Sequence, residues 1–154
     1  MVFDDIGLKL FLVQAKQNTY ASQQGKVAPS RRGANDLGYR SNGYYYLDSY
    51  FGEKDFSGQE IVYLNNTPLW SMNYYGRMLR DDVPQGFIET LRDALMRVEE
   101  ASPYRGCDHL RNGDFEYYCQ SAGTISAFTG TEHIEHMKEA VYRLNFHGGL
   151  IRYT

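Results

Sequence analysis

Hydrophobic and polar positions change period several times along this chain, and each change predicts an element. Between residues 5 and 17, Ile6, Leu8, Leu10, Phe11, Leu12, Val13 and Ala15 form a nearly continuous apolar run with Asp4 or Asp5 available as N-cap, the pattern of a mostly buried helix packed on a sheet. From Ala21 to Leu37 the stretch "ASQQGKVAPSRRGANDL" is polar and rich in small residues, which predicts a long loop of the functional or disordered kind. "YYYLDSYF", Tyr44 to Phe51, is a strand with Tyr44, Tyr46, Asp48 and Tyr50 on one face and Tyr45, Leu47, Ser49 and Phe51 on the other. "QEIVYLNNTPLWSMNYYG" reads as a hairpin turning at Asn65-Asn66, residues that tolerate positive φ. Beyond it Asp82 is placed to cap a second helix with Pro84 in its first turn. An apolar stripe of Phe87, Ile88, Leu91, Ala94, Leu95 and Val98 continues that helix, which ends before Ser102-Pro103. "FEYYCQ", "TISAF" and "AVYRLNF" read as further strands, closing on His147-Gly148-Gly149.

These elements predict one α+β domain over residues 1–154, a mainly antiparallel curved sheet of about six strands with two amphipathic helices, the sheet curling around the second. Hairpin parity then assigns the faces. With a loop of two or four residues, Glu60, Val62 and Leu64 share a face with Leu69, Ser71 and Asn73, while Ile61 and Tyr63 join Trp70, Met72 and Tyr74 on the core face. Glu60, Ser71 and Asn73 thus form a polar cluster at the open end of the hairpin, with Gly58 and Gly76 beside it and Asp48 within reach from the preceding strand. That cluster is either a solvated strand face or the floor of a pocket. As a pocket it requires a nearby cation for Glu60, for which Arg31, Arg40 and Arg77 are available, because an unpaired buried carboxylate costs several kcal/mol.

Composition narrows the partners. The net charge is −3, from 16 basic and 19 acidic residues, and no cationic run exceeds Arg31-Arg32, so direct nucleic-acid binding is not expected. The 14 Tyr, 8 Phe and 1 Trp, together with 11 Arg against 5 Lys, are residue types enriched at binding surfaces, although Tyr and Phe also favour strands. Two cysteines, Cys107 and Cys119, are too few for a disulfide framework and suit a reducing compartment. The opening "MVFDDIGLKLFLVQAKQ" carries Asp4 and Asp5 where a signal peptide needs cations, and no stretch approaches a membrane span, so a cytoplasmic location without a membrane partner is expected.

Catalytic signatures are sparse. His133 and His136 form an H-x-x-H that unites both imidazoles only on a helix and lacks a third ligand nearby, so no metal is expected. His147, beside two glycines, is placed as a general base, an anion contact or simply the end of a strand. Cys107 stands near His109, but residues so close in sequence rarely orient for proton transfer. No nucleophile elbow, phosphate loop, zinc-protease helix or dinucleotide fingerprint occurs, and no cofactor is expected.

The phrases "FLVQAKQNTYA", "SRRGANDLGYR", "DSYFG", "FSGQE", "PLWSMNYYGR", "PYRG" and "FHGG" together resemble a bacterial and phage family of unknown function, DUF5680, over about Leu8 to Gly149, with Arg32 where the family pattern usually carries Pro. Members occur alone or behind an Xre-type helix-turn-helix domain, for which this chain has no room. The resemblance implies a bacterial or phage origin and a role compatible with effector sensing. It assigns no catalytic residue. The same phrases mark candidate ligand-binding residues expected to converge: Arg31, Asp36, Asp48, Glu60, Trp70, Asn73, Tyr104, Arg105 and His147. Small-molecule binding or sensing in an aromatic cleft between sheet and helix is the leading expectation, with Glu60, Asn73 and Arg31 as polar contacts. Two rival classes stand beside it. One is a protein-interaction module, such as an inhibitor of a bacterial defence or toxin component, with exposed Tyr and Arg as hot spots. The other is an enzyme acting on a nucleotide or other polar small molecule, with Glu60 or His147 as general base and Arg31 or Arg105 as anion clamp.

Overall fold

The apolar run at the head of the chain forms α1, Asp5–Gln17, and it is Asp4 that caps it, its carboxylate accepting a hydrogen bond of 2.9 Å from the Gly7 amide. One side of α1 buries Leu8, Phe11, Leu12, Ala15 and, unusually, Lys16. The polar stretch that follows is more ordered than its composition predicts. It contains a 3-10 turn at Tyr20–Ser22 and a two-residue strand β1, Lys26–Val27, and its end belongs to β2, Asn35–Ser41. Antiparallel pairing to the aromatic strand β3, Tyr44–Gly52, holds β2 from Asn35↔Tyr50 to Ser41↔Tyr44, so main-chain bonding rather than apolar content makes it a strand.

The computed structural model describes residues 3–154, and these form nine strands and two α-helices of an α+β fold. After β3 come β4 Phe56–Leu64, β5 Thr67–Met78, α2 Phe87–Met96, β6 His109–Asn112, β7 Phe115–Thr124, β8 Ala127–His136 and β9 Glu139–Leu150. All pair antiparallel in one sheet of order β1-β2-β3-β4-β5-β9-β8-β7-β6, two meanders joined along β5 and β9. Short edge strands and the polar β2 account for the excess over the expected six. "TISAF" is mostly turn: Thr124 pairs with Ala127 across Ile125-Ser126. The second helix begins later than its sequence signals suggest, with Gly86 as N-cap at φ 92, while Asp82 is engaged 3.0 Å away by Arg80. None of the described helices is long and apolar enough to cross a membrane.

Both helices pack on one face of the sheet, opposite a core of Tyr46, Val62, Trp70, Met72, Tyr74, Leu144 and Phe146. Which residues join that core is decided by one irregularity. The hairpin turns at Asn65-Asn66 with φ of 49 and 68, and Leu64 pairs with Thr67 as a two-residue loop requires. A β-bulge between Val62 and Tyr63 then shifts the register, so Val62 faces Trp70 and Glu60 faces Met72. Simple parity therefore fails below the bulge: Glu60 joins the helix-covered face, and Ser71 and Asn73 lie on the other with Ile61 and Gln59.

The inner face tolerates no side chain at Gly148, where an added Cβ would meet the Ser71 carbonyl oxygen and the Met72 Cα, 2.8 Å away, which are main-chain atoms unable to swing aside. Gly148→Ala is therefore expected to lower unfolding free energy by roughly 3 kcal/mol or more, read as a fall in the urea midpoint; an unchanged midpoint would show that β5 and β9 separate easily.

Candidate functional site

The sheet divides the nine candidate residues between its two faces. Asp48 and Glu60 are cross-strand neighbours on the inner face, near Tyr104 and Arg105 from the segment between α2 and β6. Arg31, Asp36, Asn73 and His147 belong to the outer face, so the expected convergence of all nine is corrected to two separate groups. Trp70 is core: its indole N–H donates to the Ile125 carbonyl at 3.1 Å and its ring stacks on Phe128, which also stacks on Tyr104.

Within the inner face, buried carboxylates are held by cations brought from distant segments. Lys16 Nζ lies 2.5 Å from Glu60 Oε1 and also donates to the Tyr104 carbonyl. Arg105 reaches Glu132 through Nε and Nη2, at 3.2 and 2.8 Å, and the hydroxyls of Tyr117 and Tyr142 donate to the same carboxylate. Asp48 has no such ion pair; it accepts a 2.7 Å hydrogen bond from the Tyr74 hydroxyl. Burial, reinforced by the neighbouring Glu60 charge and only partly offset by Tyr74, Lys16 and Arg105, pushes the Asp48 carboxyl up to about 7. Burial and the Asp48 charge raise the Tyr74 phenol well above its ordinary value, so it remains a proton donor.

Sequence reasoning missed Lys16, Glu132 and Arg92. Lys16 lies four residues beyond Leu12 and eight beyond Leu8, on the buried stripe of α1. Glu132 shares parity with Phe128 and Ile134 on β8 and is fully buried. Both positions were legible as polar residues in apolar register. Arg92 gave no such signal, sitting just outside the stripe of α2.

Asp48 opens into two spaces. One, of about 20 Å³, is the size of a single water and lies among Lys16, Asp48, Glu60 and Arg105. The other is a cleft of about 260 Å³ between α2 and strands β3 to β5, with Tyr20, Tyr50, Phe56 and Tyr74 as aromatic walls, Ile88 and Leu91 from α2, and Arg92, Arg105 and Glu53 among its polar groups. Arg92 stands over the Tyr20 ring at 5.7 Å, and its Nε is buried without a hydrogen-bond partner.

On the outer face, Asp36, Ser49, Gln59, Asn73, His147 and Thr129 form a cross-strand row over six strands. Ser49 and the Ser30 amide donate to Asp36 at 2.7 and 2.9 Å, and Gln59 donates to Asn73 at 2.8 Å. Burial alone would raise the Asp36 carboxyl, but those hydrogen bonds and the Arg31 charge bring it below the ordinary value. Beside this row runs an open groove of about 410 Å³, bordered by Arg31, Phe51, Tyr75, Asn145 and His147. The H-x-x-H is a strand segment, with His133 stacked on Tyr118 and His136 on Phe115 of opposite faces. No group of three or more metal-binding side chains occurs among the described residues.

A family model described as "Domain of unknown function (DUF5680)" matches residues 48–151, from the buried Asp48 through the end of β9. No curated protein and no solved structure matches the chain.

The Asp48 carboxyl has a pH signature. Its folded pKa lies above the ordinary 3.8, so the native state holds the proton more tightly than the unfolded chain. Its contribution to stability is fully present below the ordinary pKa and is lost as pH rises through about 7. Asp48→Asn keeps an acceptor for Tyr74 and is expected to flatten the fall in unfolding free energy between pH 5 and pH 8 that urea titrations of the unaltered protein should show. An equal slope in both proteins would move the ionisation elsewhere.

Proposed function

The chain belongs to the DUF5680 family, and for it we propose small-molecule binding or sensing in the cleft between α2 and strands β3 to β5, with a small aromatic anion as ligand. The observation that carries this reading is the Arg92 Nε, buried in an aromatic-walled cleft with nothing to donate to. An unsatisfied buried donor costs roughly 1–3 kcal/mol, which a carboxylate or phosphate oxygen would recover while the Tyr20, Tyr50 and Phe56 rings cover the ligand's apolar body. At about 260 Å³ the cleft falls just under the range of drug-sized ligands, which favours a molecule with a single ring.

Asp48, close to the same space, makes recognition responsive to pH. Neutral, it tolerates an anion; ionised, it repels one, so affinity decreases as pH rises through about 7. The same carboxyl favours a second reading, an enzyme acting on this ligand class with Asp48, rather than Glu60 or His147, as the acid–base group.

Native mass spectrometry of gently purified protein tests the first reading through any retained mass, and titration with benzoate and phenyl phosphate tests it directly. Binding is expected to weaken at least tenfold in Arg92→Met and to lose its pH dependence in Asp48→Asn, with chemical change of a captured ligand separating enzyme from sensor. Saturation unaffected by Arg92→Met would place the ligand elsewhere.

A further inference from the structure

The outer face of the sheet brings together arginines that no single stretch of the sequence holds. Arg31 comes from the loop between β1 and β2, Arg77 from β5 and Arg143 from β9. Arg77 and Arg143 are direct cross-strand partners, both exposed, and neither has a carboxylate partner among the described residues. Like charges directly opposite destabilise a strand pair, whereas an anion bridging them reverses the sign of that interaction. Carboxylates near this face are engaged already. Asp36 is held by Ser30 and Ser49, Glu116 by His109 and Arg111, Glu135 by His133, and Asp55 by the Met78 amide.

Aromatic rings and amides accompany the arginines. Tyr75 is 49% exposed, in the same cross-strand row as Phe51 and Asn145, and Arg31 lies over the Phe51 ring at 5.1 Å. The groove between them continues past Asn145 and His147 toward Thr129, Thr131 and Gln120 on β8 and β7, in a second depression of about 550 Å³. A linear polyanion with flat, unpaired rings satisfies all three features: phosphates meet the arginines, rings stack on Tyr75 and Phe51, and polar ring edges meet amides and hydroxyls. A duplex keeps its rings inside, and a sulfated polysaccharide has none to stack.

We propose that the outer sheet face binds single-stranded nucleic acid along the groove running from Arg31 and Phe51 past Tyr75 to Asn145 and His147, with Arg77 and Arg143 flanking it two residues along β5 and β9. The proposal departs from the expectation drawn from the net charge of −3 and the lack of a cationic run, because its arginines come from three separate segments.

Fluorescence anisotropy with fluorescein-labelled oligo-uridine tests this. Three arginine contacts predict a slope of log affinity against log salt near −2, a roughly twentyfold loss between about 50 and 200 mM salt. Tyr75→Ala is expected to weaken binding roughly tenfold while Tyr75→Phe binds as the unaltered protein does, since the ring does the stacking. Arg143→Ala should lower the salt slope by about 0.7, and Lys9→Met, on α1 across the sheet, should change nothing. Absence of saturable binding up to about 100 µM protein at low salt overturns the proposal. Binding that heparin or duplex DNA matches, and that Tyr75→Ala leaves intact, overturns it equally, reducing the face to a general cation surface.

Discussion

The buried ammonium of Lys16 ties together parts of the chain that are 44 and 88 residues apart in sequence, bonding Glu60 on β4 and the Tyr104 carbonyl beyond α2. Each ion carries a desolvation penalty of several kcal/mol, so neither is tolerable alone, and removing one partner of such a pair typically costs about 3–5 kcal/mol. Their pairing fixes α1 against the sheet and fixes the main chain at Tyr104. That in turn delivers Arg105, the next residue, to Glu132 on β8. Lys16 and Arg105 thus pair with two of three inner-face carboxylates, and Asp48, without an ion pair, is the one pushed up to about 7. The raised Asp48 carboxyl follows from burial first and from the neighbouring Glu60 charge second, and the cleft beside it inherits a pH-sensitive wall.

Much of this arrangement was legible from pattern. The first helix and its acidic cap, the aromatic strand β3 and the Asn65-Asn66 turn follow from periodicity and turn chemistry, and they stand as read. Failures occurred where tertiary pairing overrode local signals. β2 is polar yet paired, and the turn between β8 and β9 places Met137 and Lys138 at φ of 51 and 69, a conformation that neither residue type advertises. The bulge at Val62 and Tyr63 had the largest effect, because a one-residue shift exchanges the faces of everything below it. Trp70, Met72 and Tyr74 were rightly assigned to the core, but Glu60 was separated from them and Asn73 joined to it. The residues expected to converge in one place accordingly lie on two faces.

That bulge is also what sets the apolar residues of β5 on the same face as the buried carboxylates. Its extra residue is Leu69 on β5, because Tyr63 pairs with Pro68 and Val62 with Trp70, whereas β4 pairs with β3 without a break and keeps Glu60 beside Asp48; without it Trp70, Met72 and Tyr74 would turn to the face opposite Glu60. The irregular strand thus brings the aromatic core of β5 to the face where Lys16 meets Glu60, and the ion pair sits among apolar side chains that exclude water from it.

The two faces differ less in residue type than in how their charges are matched. Inside, Arg105 meets Glu132 in a multidentate pair reinforced by two tyrosine hydroxyls, and its charge is neutralised by the fold itself. Outside, Arg77 and Arg143 face each other across a strand pair with no carboxylate to separate them. Arg92 lies between these cases, partly covered, resting on Tyr20 with one donor unanswered. Because a guanidinium does not lose its charge at any pH a protein survives, each of these groups must be matched by something. Where the chain supplies the partner the arginine stabilises structure; where it does not, at the cleft and on the outer face, water and counterions answer the charge and the guanidinium is left free to meet an anion.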